Sequence, residues 1–88
     1  MPKKKKITPP KYTVHLTIGE LNYEASGDDL QAVILNLKPE KVNVRGIFTL
    51  HHEGKVSTLM KNAPFVKAIC TNRLRAFYMG KNLLTLLK

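Results

Sequence analysis

The sequence predicts an α+β domain: a four-stranded antiparallel sheet in ββαββα order, with two helices packed on one face. Three observations predict it. Two stretches alternate apolar and polar residues about a short glycine-containing turn, the pattern of a β-hairpin. Each is followed by a stretch whose apolar residues recur at helical spacing. The chain has 88 residues, which is room for a single domain with a thin core.

The first hairpin spans residues 11–26. Tyr12, Val14, Leu16 and Ile18 share one face of a strand over 11–18, and Thr13, His15 and Thr17 share the other. Gly19-Glu20 suits a two-residue type II′ turn, whose first central position needs a positive φ. Leu21, Tyr23 and Ala25 continue the alternation through 21–26, with Asn22 and Glu24 opposite. A helix over 27–37 follows. Ser26 is its expected cap, Asp29 completes a capping box, and both Asp28 and Asp29 suit the positive end of the helix dipole. Leu30, Val33, Ile34 and Leu37 form its apolar stripe, and Lys38-Pro39 ends it.

The second half repeats the design. Residues 41–51 read as a strand with Val42, Val44, Phe48 and Leu50 on one face. Gly46 within it signals a bulge or the close approach of another element. Glu53-Gly54 is the next tight turn, and 55–60 is the return strand. That turn sets His52 opposite Lys55, Leu50 opposite Ser57 and Phe48 opposite Leu59. Apolar side chains then occur on both faces near Ile47 and Met60, so one face is expected to meet a partner.

Asn62-Ala63-Pro64 opens the last element, with Asn62 as a cap and proline in the first turn. Phe65, Val66, Ile69, Cys70, Leu74 and Phe77 fall on one arc at about 100° per residue. Leu83, Leu84 and Leu87 return to that arc, which predicts one helix over 63–87 running through Gly80. There Gly80 would let another backbone approach closely. The alternative ends the helix at Gly80 and makes 82–87 a separate short helix. Arg73 falls on the apolar arc, where a charge is costly unless paired or led to water. A structural Arg73 pairs with a carboxylate or caps carbonyls, and this is the preferred reading. A functional Arg73 reaches the surface and presents its guanidinium to a phosphate or a neighbouring subunit.

Charge carries the functional signal. Fifteen Lys and Arg stand against six Asp and Glu, a net +9. Residues 1–11 hold +5, residues 12–40 hold −4, and residues 41–88 hold +8. Such asymmetry favours an oriented electrostatic surface. Residues 1–10 read as a basic flexible N-terminal tail ahead of a single α+β domain at 11–88. The tail has two readings, a solvated terminus or an arm lying on phosphates. The candidate nucleic-acid-binding residues are Lys3, Lys4, Lys5, Lys6, Lys11, Arg45, Lys55, Lys61, Lys67, Arg73 and Arg75. Tyr12, Tyr23 and Tyr78 are candidates for base stacking, and each also fits a core. The acidic group Glu20, Glu24, Asp28 and Asp29 reads as a solvated edge and helix cap, or as a patch that meets the basic half of a neighbouring copy.

Catalysis has no comparable pattern. Adjacent His51 and His52 point to opposite faces of a strand and do not share a metal easily. Cys70 sits on an apolar arc as a small buried residue rather than a nucleophile. Gly19, Gly27, Gly46, Gly54 and Gly80 are too far apart for a phosphate loop. The expectation is a non-enzymatic binding protein with no cofactor, metal or small-molecule substrate. No apolar run approaches a membrane span, and a lone cysteine suits a reducing compartment such as cytoplasm.

The stretch Arg45-Gly46-Ile47-Phe48-Thr49-Leu50, then Asn72-Arg73-Leu74-Arg75, then Leu83-Leu84-Thr85-Leu86-Leu87-Lys88, behind a lysine-rich start, resembles small basic proteins of tailed bacteriophages. The resemblance implies a virion or assembly component more than an enzyme. It would act through nucleic acid, nucleoprotein, virion proteins or self-association, in host cytoplasm or virion. It carries over no site residues.

Overall fold

The computed structural model describes residues 10–87. Tyr12–Ile18 (β1) and Leu21–Gly27 (β2) form the first hairpin, and Gly46–His52 (β3) and Lys55–Lys61 (β4) the second. Gly19 takes φ +60 at the first turn, as a type II′ geometry requires. Glu53 and Gly54 both take positive φ, 54 and 78, so the second turn has the backbone of type I′. The hairpins join through β1 and β3, giving one antiparallel sheet of order β2-β1-β3-β4. Leu50 faces Ser57 and Phe48 faces Leu59, the expected register.

This register puts Val14, Leu16, Ile18, Phe48 and Leu50 on one face, where all are buried. Leu30–Leu35 (α1), Ala63–Thr71 (α2) and Arg73–Leu86 (α3) cover that face. Leu30, Val33 and Ile34 of α1, Val66 and Ile69 of α2, and Met79 and Leu83 of α3 complete the core. Each large apolar side chain so buried contributes about 1.5–3 kcal/mol. Ser57, the buried polar residue among those described, donates to the Leu83 carbonyl at 2.8 Å and ties β4 to α3.

The opposite face of the sheet carries no helix. β1 presents Thr13, His15 and Thr17 there, and β3 presents Ile47, Thr49 and His51. Asn22 and Glu24 continue it on β2, and Val56, Thr58 and Met60 on β4. Val56 and Met60 are each 54% exposed.

The elements depart from the sequence expectation in three places. The strand expected at 41–51 begins only at Gly46, because β1 turns away after Ile18, the partner of Gly46. Residues 41–45 therefore have no ladder to join, although Val42 still packs on the core. Gly46 itself marks close packing: a Cβ there would lie 2.7 Å from Val66 Cγ2 and 3.0 Å from Leu16 Cδ1.

The helix expected over 27–37 spans only Leu30–Leu35, and Ser26 does not cap it. Ser26 and Gly27 remain in the β1–β2 ladder, where Ser26 Oγ lies 3.2 Å from Thr13 Oγ1. Asp29 takes the cap position without a side-chain bond. Asp28 accepts from the Lys11 backbone N–H at 3.2 Å. Lys38, at φ 42, turns the chain out of the helical path before Pro39.

The single helix expected over 63–87 is two helices, and the break falls at Asn72 rather than Gly80. Asn72 is extended (φ −121, ψ 121), and its Oδ1 accepts from the N–H groups of Leu74 and Arg75 at 2.9 and 3.1 Å. It caps α3 while its own N–H still closes α2 on the Ala68 carbonyl. Asn62 precedes α2 as its N-cap residue but makes no side-chain cap bond. Gly80 stays within α3 and does bring another element close: a Cβ there would meet Leu30 Cδ2 at 3.0 Å.

Candidate nucleic-acid interface

The break at Asn72 decides what the last third of the chain shows to solvent. α3 turns Ala76, Met79, Gly80 and Leu83 inward. Leu74 and Phe77, expected on the buried arc, are 61% and 45% exposed. Phe65, also expected inside, is 49% exposed, and Tyr78 is 54% exposed. Arg73 is corrected in the same way. It begins α3 on the surface, and its backbone carbonyl accepts from Gln31 Nε2 at 2.7 Å. No carboxylate partner for its guanidinium occurs among the described residues.

Between α2 and α3 lies an open groove of about 200 Å³. Ile69 and Met79 form its apolar floor, Phe65 and Tyr78 stand beside them, and Lys61 and Arg75 supply positive charge. Lys61 arrives at the end of β4, one residue before the Asn62 turn into α2. Arg75 and Tyr78 are three residues apart on α3 and so share a helix face. Residues 54–88 contain no Asp or Glu, so this surface has no local anion to neutralise it.

The other candidate residues lie elsewhere. Arg45 lies on the helix-free side of the sheet, with Nη1 3.9 Å from Met60 Sδ. Lys55 sits at the β3–β4 turn and shares an open depression with His52 and Lys81. Lys67 lines a different hollow with Lys38 and Thr71. Lys11 precedes β1, and its carbonyl lies 2.8 Å from His52 Nδ1. Lys3, Lys4, Lys5 and Lys6, with the rest of the expected tail up to Pro9, lie outside the described residues. The fold thus gathers Lys61 and Arg75 into one site and disperses the remainder. Among the described residues no Lys or Arg pairs with a carboxylate; the ion pairs are His15–Glu24 at 4.0 Å and His52–Glu53 at 3.7 Å.

Tyr12 and Tyr23 are half-buried against the core, and Tyr12 stacks on His52 with ring centroids 4.6 Å apart. Tyr78 alone of the three tyrosines stands mostly free. Phe65 and Lys81 were not among the sequence candidates for binding. Lys81 lies 5.5 Å from the Phe77 ring centroid. The signal that could have found Phe65 is Thr71-Asn72, a strong capping residue placed inside an apolar arc, which resets the helical phase. Thr71 adds to it by bonding back to the Lys67 carbonyl at 2.8 Å, a contact that tends to bend helices.

His51 and His52 do face opposite sides of the sheet, His51 on the open side and His52 against Tyr12. Burial pushes the Cys70 thiol up to about 12 from an ordinary 9.0, so it holds its proton at neutral pH. Among the described residues, no three metal-ligating side chains converge. None of the described helices is long and apolar enough to cross a membrane.

The fold and site together define an open-faced α+β domain with a basic, aromatic groove on its helical layer. Comparison with protein-family models, curated proteins and solved structures found no match for the chain.

Proposed function

We propose that this chain is a non-enzymatic basic binding protein that takes nucleic acid, alone or within a nucleoprotein, in the α2–α3 groove. The observation that supports it is the joint placement of Lys61 and Arg75 with exposed Phe65 and Tyr78 on an acid-free surface. Cations spaced along a groove follow a phosphate backbone, and aromatic faces stack on bases that have left a duplex. Single-stranded segments are therefore the preferred ligand. Lys3, Lys4, Lys5 and Lys6 add affinity without sequence preference.

The test is fluorescence anisotropy with a labelled single-stranded oligonucleotide over a salt series. Lys61→Ala and Arg75→Ala each lower the salt slope by about 0.7. Tyr78→Ala weakens binding by about 1–3 kcal/mol while leaving the slope unchanged. Deleting residues 1–10 lowers the slope without altering base preference. Binding that is absent at low salt, or indifferent to all of these changes, rejects the reading.

A second reading is a phage virion or assembly protein acting through protein contacts. It draws on Leu74, Phe77 and Leu86, which are exposed along α3. Purification without nuclease, followed by light scattering and an absorbance ratio, separates the two. Copurifying nucleic acid supports the first, and a defined assembly free of nucleic acid supports the second.

A further inference from the structure

We infer that the helix-free face of the sheet is a self-association surface, on which a second copy packs face to face about a two-fold axis.

Two copies of a +9 chain repel, so they meet most easily where each surface carries least positive charge. On the helical layer α2 and α3 carry Lys67, Arg73, Arg75 and Lys81 with no acidic residue, while Asp28 and Asp29 lie at the start of α1. The open face differs: its outward strand positions hold threonines, two histidines and the apolar Ile47, Val56 and Met60, with Glu24 as their formal charge. Among the described residues Arg45 reaches this face at its border beside Met60, and Lys11 lies at the opposite border beside Thr13 and His51. Val56 and Met60 are 54% exposed on the edge strand β4, apolar surface of the kind that marks a contact.

Glu24 and Arg45 are of opposite sign, and their positions are suited to a symmetric contact. Glu24 lies in register with His15, and His15 with Thr49. Arg45 lies one residue before Gly46, the partner of Ile18. The midpoint between Glu24 and Arg45 therefore falls close to Thr17 on β1. A two-fold axis through that point, lying between the sheets and perpendicular to the Glu24–Arg45 line, exchanges the two positions. Each Glu24 then meets Arg45 of the second copy, twice over, as an isologous interface demands. The same operation carries Thr49 to the neighbourhood of Thr58 and Met60 of the second copy. The facing sheets would lie about 10 Å apart, the usual spacing for side chains of this size. In such a dimer both α2–α3 grooves point outward, so the contact does not depend on what the groove binds.

Sedimentation of nuclease-treated protein over a concentration series tests the contact, with circular dichroism melting to confirm that each variant folds. The wild type should show a monomer–dimer equilibrium. Thr17→Asp sets two like charges across the axis and should weaken the dimer by about tenfold or more. Glu24→Arg and Arg45→Glu should each weaken it, and the double reversal should restore it. If Thr17→Asp does not fold, the two single reversals and their combination carry the test alone. A protein monomeric up to about 1 mM overturns the inference. So does a dimer that the double reversal fails to restore, since its contact lies elsewhere. Protection of Thr49 and Thr58 by an added oligonucleotide, with no self-association, also overturns it and assigns the face to nucleic acid.

Discussion

The two hairpin–helix units of this protein start from one plan and end differently. In the first unit the hairpin leads into a six-residue helix, α1. In the second it leads into α2 and α3, which together run from Ala63 to Leu86 with a break at Asn72. The first unit is net acidic and the second strongly basic. The second also supplies both glycines on which the units close: Gly46 admits Leu16 of the first unit as well as Val66 of its own, and Gly80 admits Leu30 of the first unit. The helix break, and not composition alone, shapes what the second unit shows to solvent. An unbroken helix would have sent Phe65, Leu74 and Phe77 to the same buried arc. The cap at Asn72 re-aims α3, so Leu74 and Phe77 face outward, while Phe65 and Tyr78 stand beside Lys61 and Arg75.

The most severe way to test the comparison is to ask whether the units fold separately. Phe48 is fully buried in β3 under the shared helical layer. Phe48→Ala should cost about 3–5 kcal/mol. Hydrogen exchange should show β2 and β4 losing protection together; protection retained in one hairpin alone would divide the domain.

Gly46→Ala comes next. Its new Cβ would sit 2.7 Å from Val66, so α2 must lift from the sheet, at about 1–3 kcal/mol. Adding Val66→Ala should recover part of that loss in a denaturation series. Purely additive costs would show that the contact does not set the helix position.

The second unit also carries an alkaline weakness that the first lacks. The folded Cys70 thiol ionises near 12 against an ordinary 9.0. A pKa raised on folding means that the group's stability is fully present below about pH 9 and is lost as pH climbs towards 12. Wild type should therefore lose about 1 kcal/mol per pH unit in that window relative to Cys70→Ala. Parallel pH profiles for the two proteins would contradict this. At neutral pH the thiol should react with a disulfide reagent only as fast as the protein opens.

The smallest effect concerns the break itself. Asn72→Ala removes two cap bonds and should cost about 1 kcal/mol in thermal or denaturant unfolding. It should also lower the accessibility of Leu74 and Phe77 as the helices merge. Unchanged accessibility would mean that core packing, and not the cap, holds the break.

Local order along the chain specifies the local elements. Alternation along 12–18 and 46–52, the positive-φ turns at Gly19 and at Glu53-Gly54, and the stripe Leu30, Val33, Ile34 specify strands, register and first helix. Each depends on neighbours within a few residues. Even the close approach at Gly80 was legible, because a glycine on an apolar arc leaves room that a neighbour fills. Tertiary structure decided the rest. Residues 41–45 lost their strand because β1 had already turned away. Ser26 lost its cap role because the β1–β2 ladder held it. Arg73, Leu74 and Phe77 left the buried arc because α3 had to set Gly80 against Leu30 and Ser57 against the Leu83 carbonyl. Helical periodicity reports which residues share a face. Which face is buried, and where a helix breaks to bury it, depends on contacts between segments far apart in the chain, and local spacing contains no record of those.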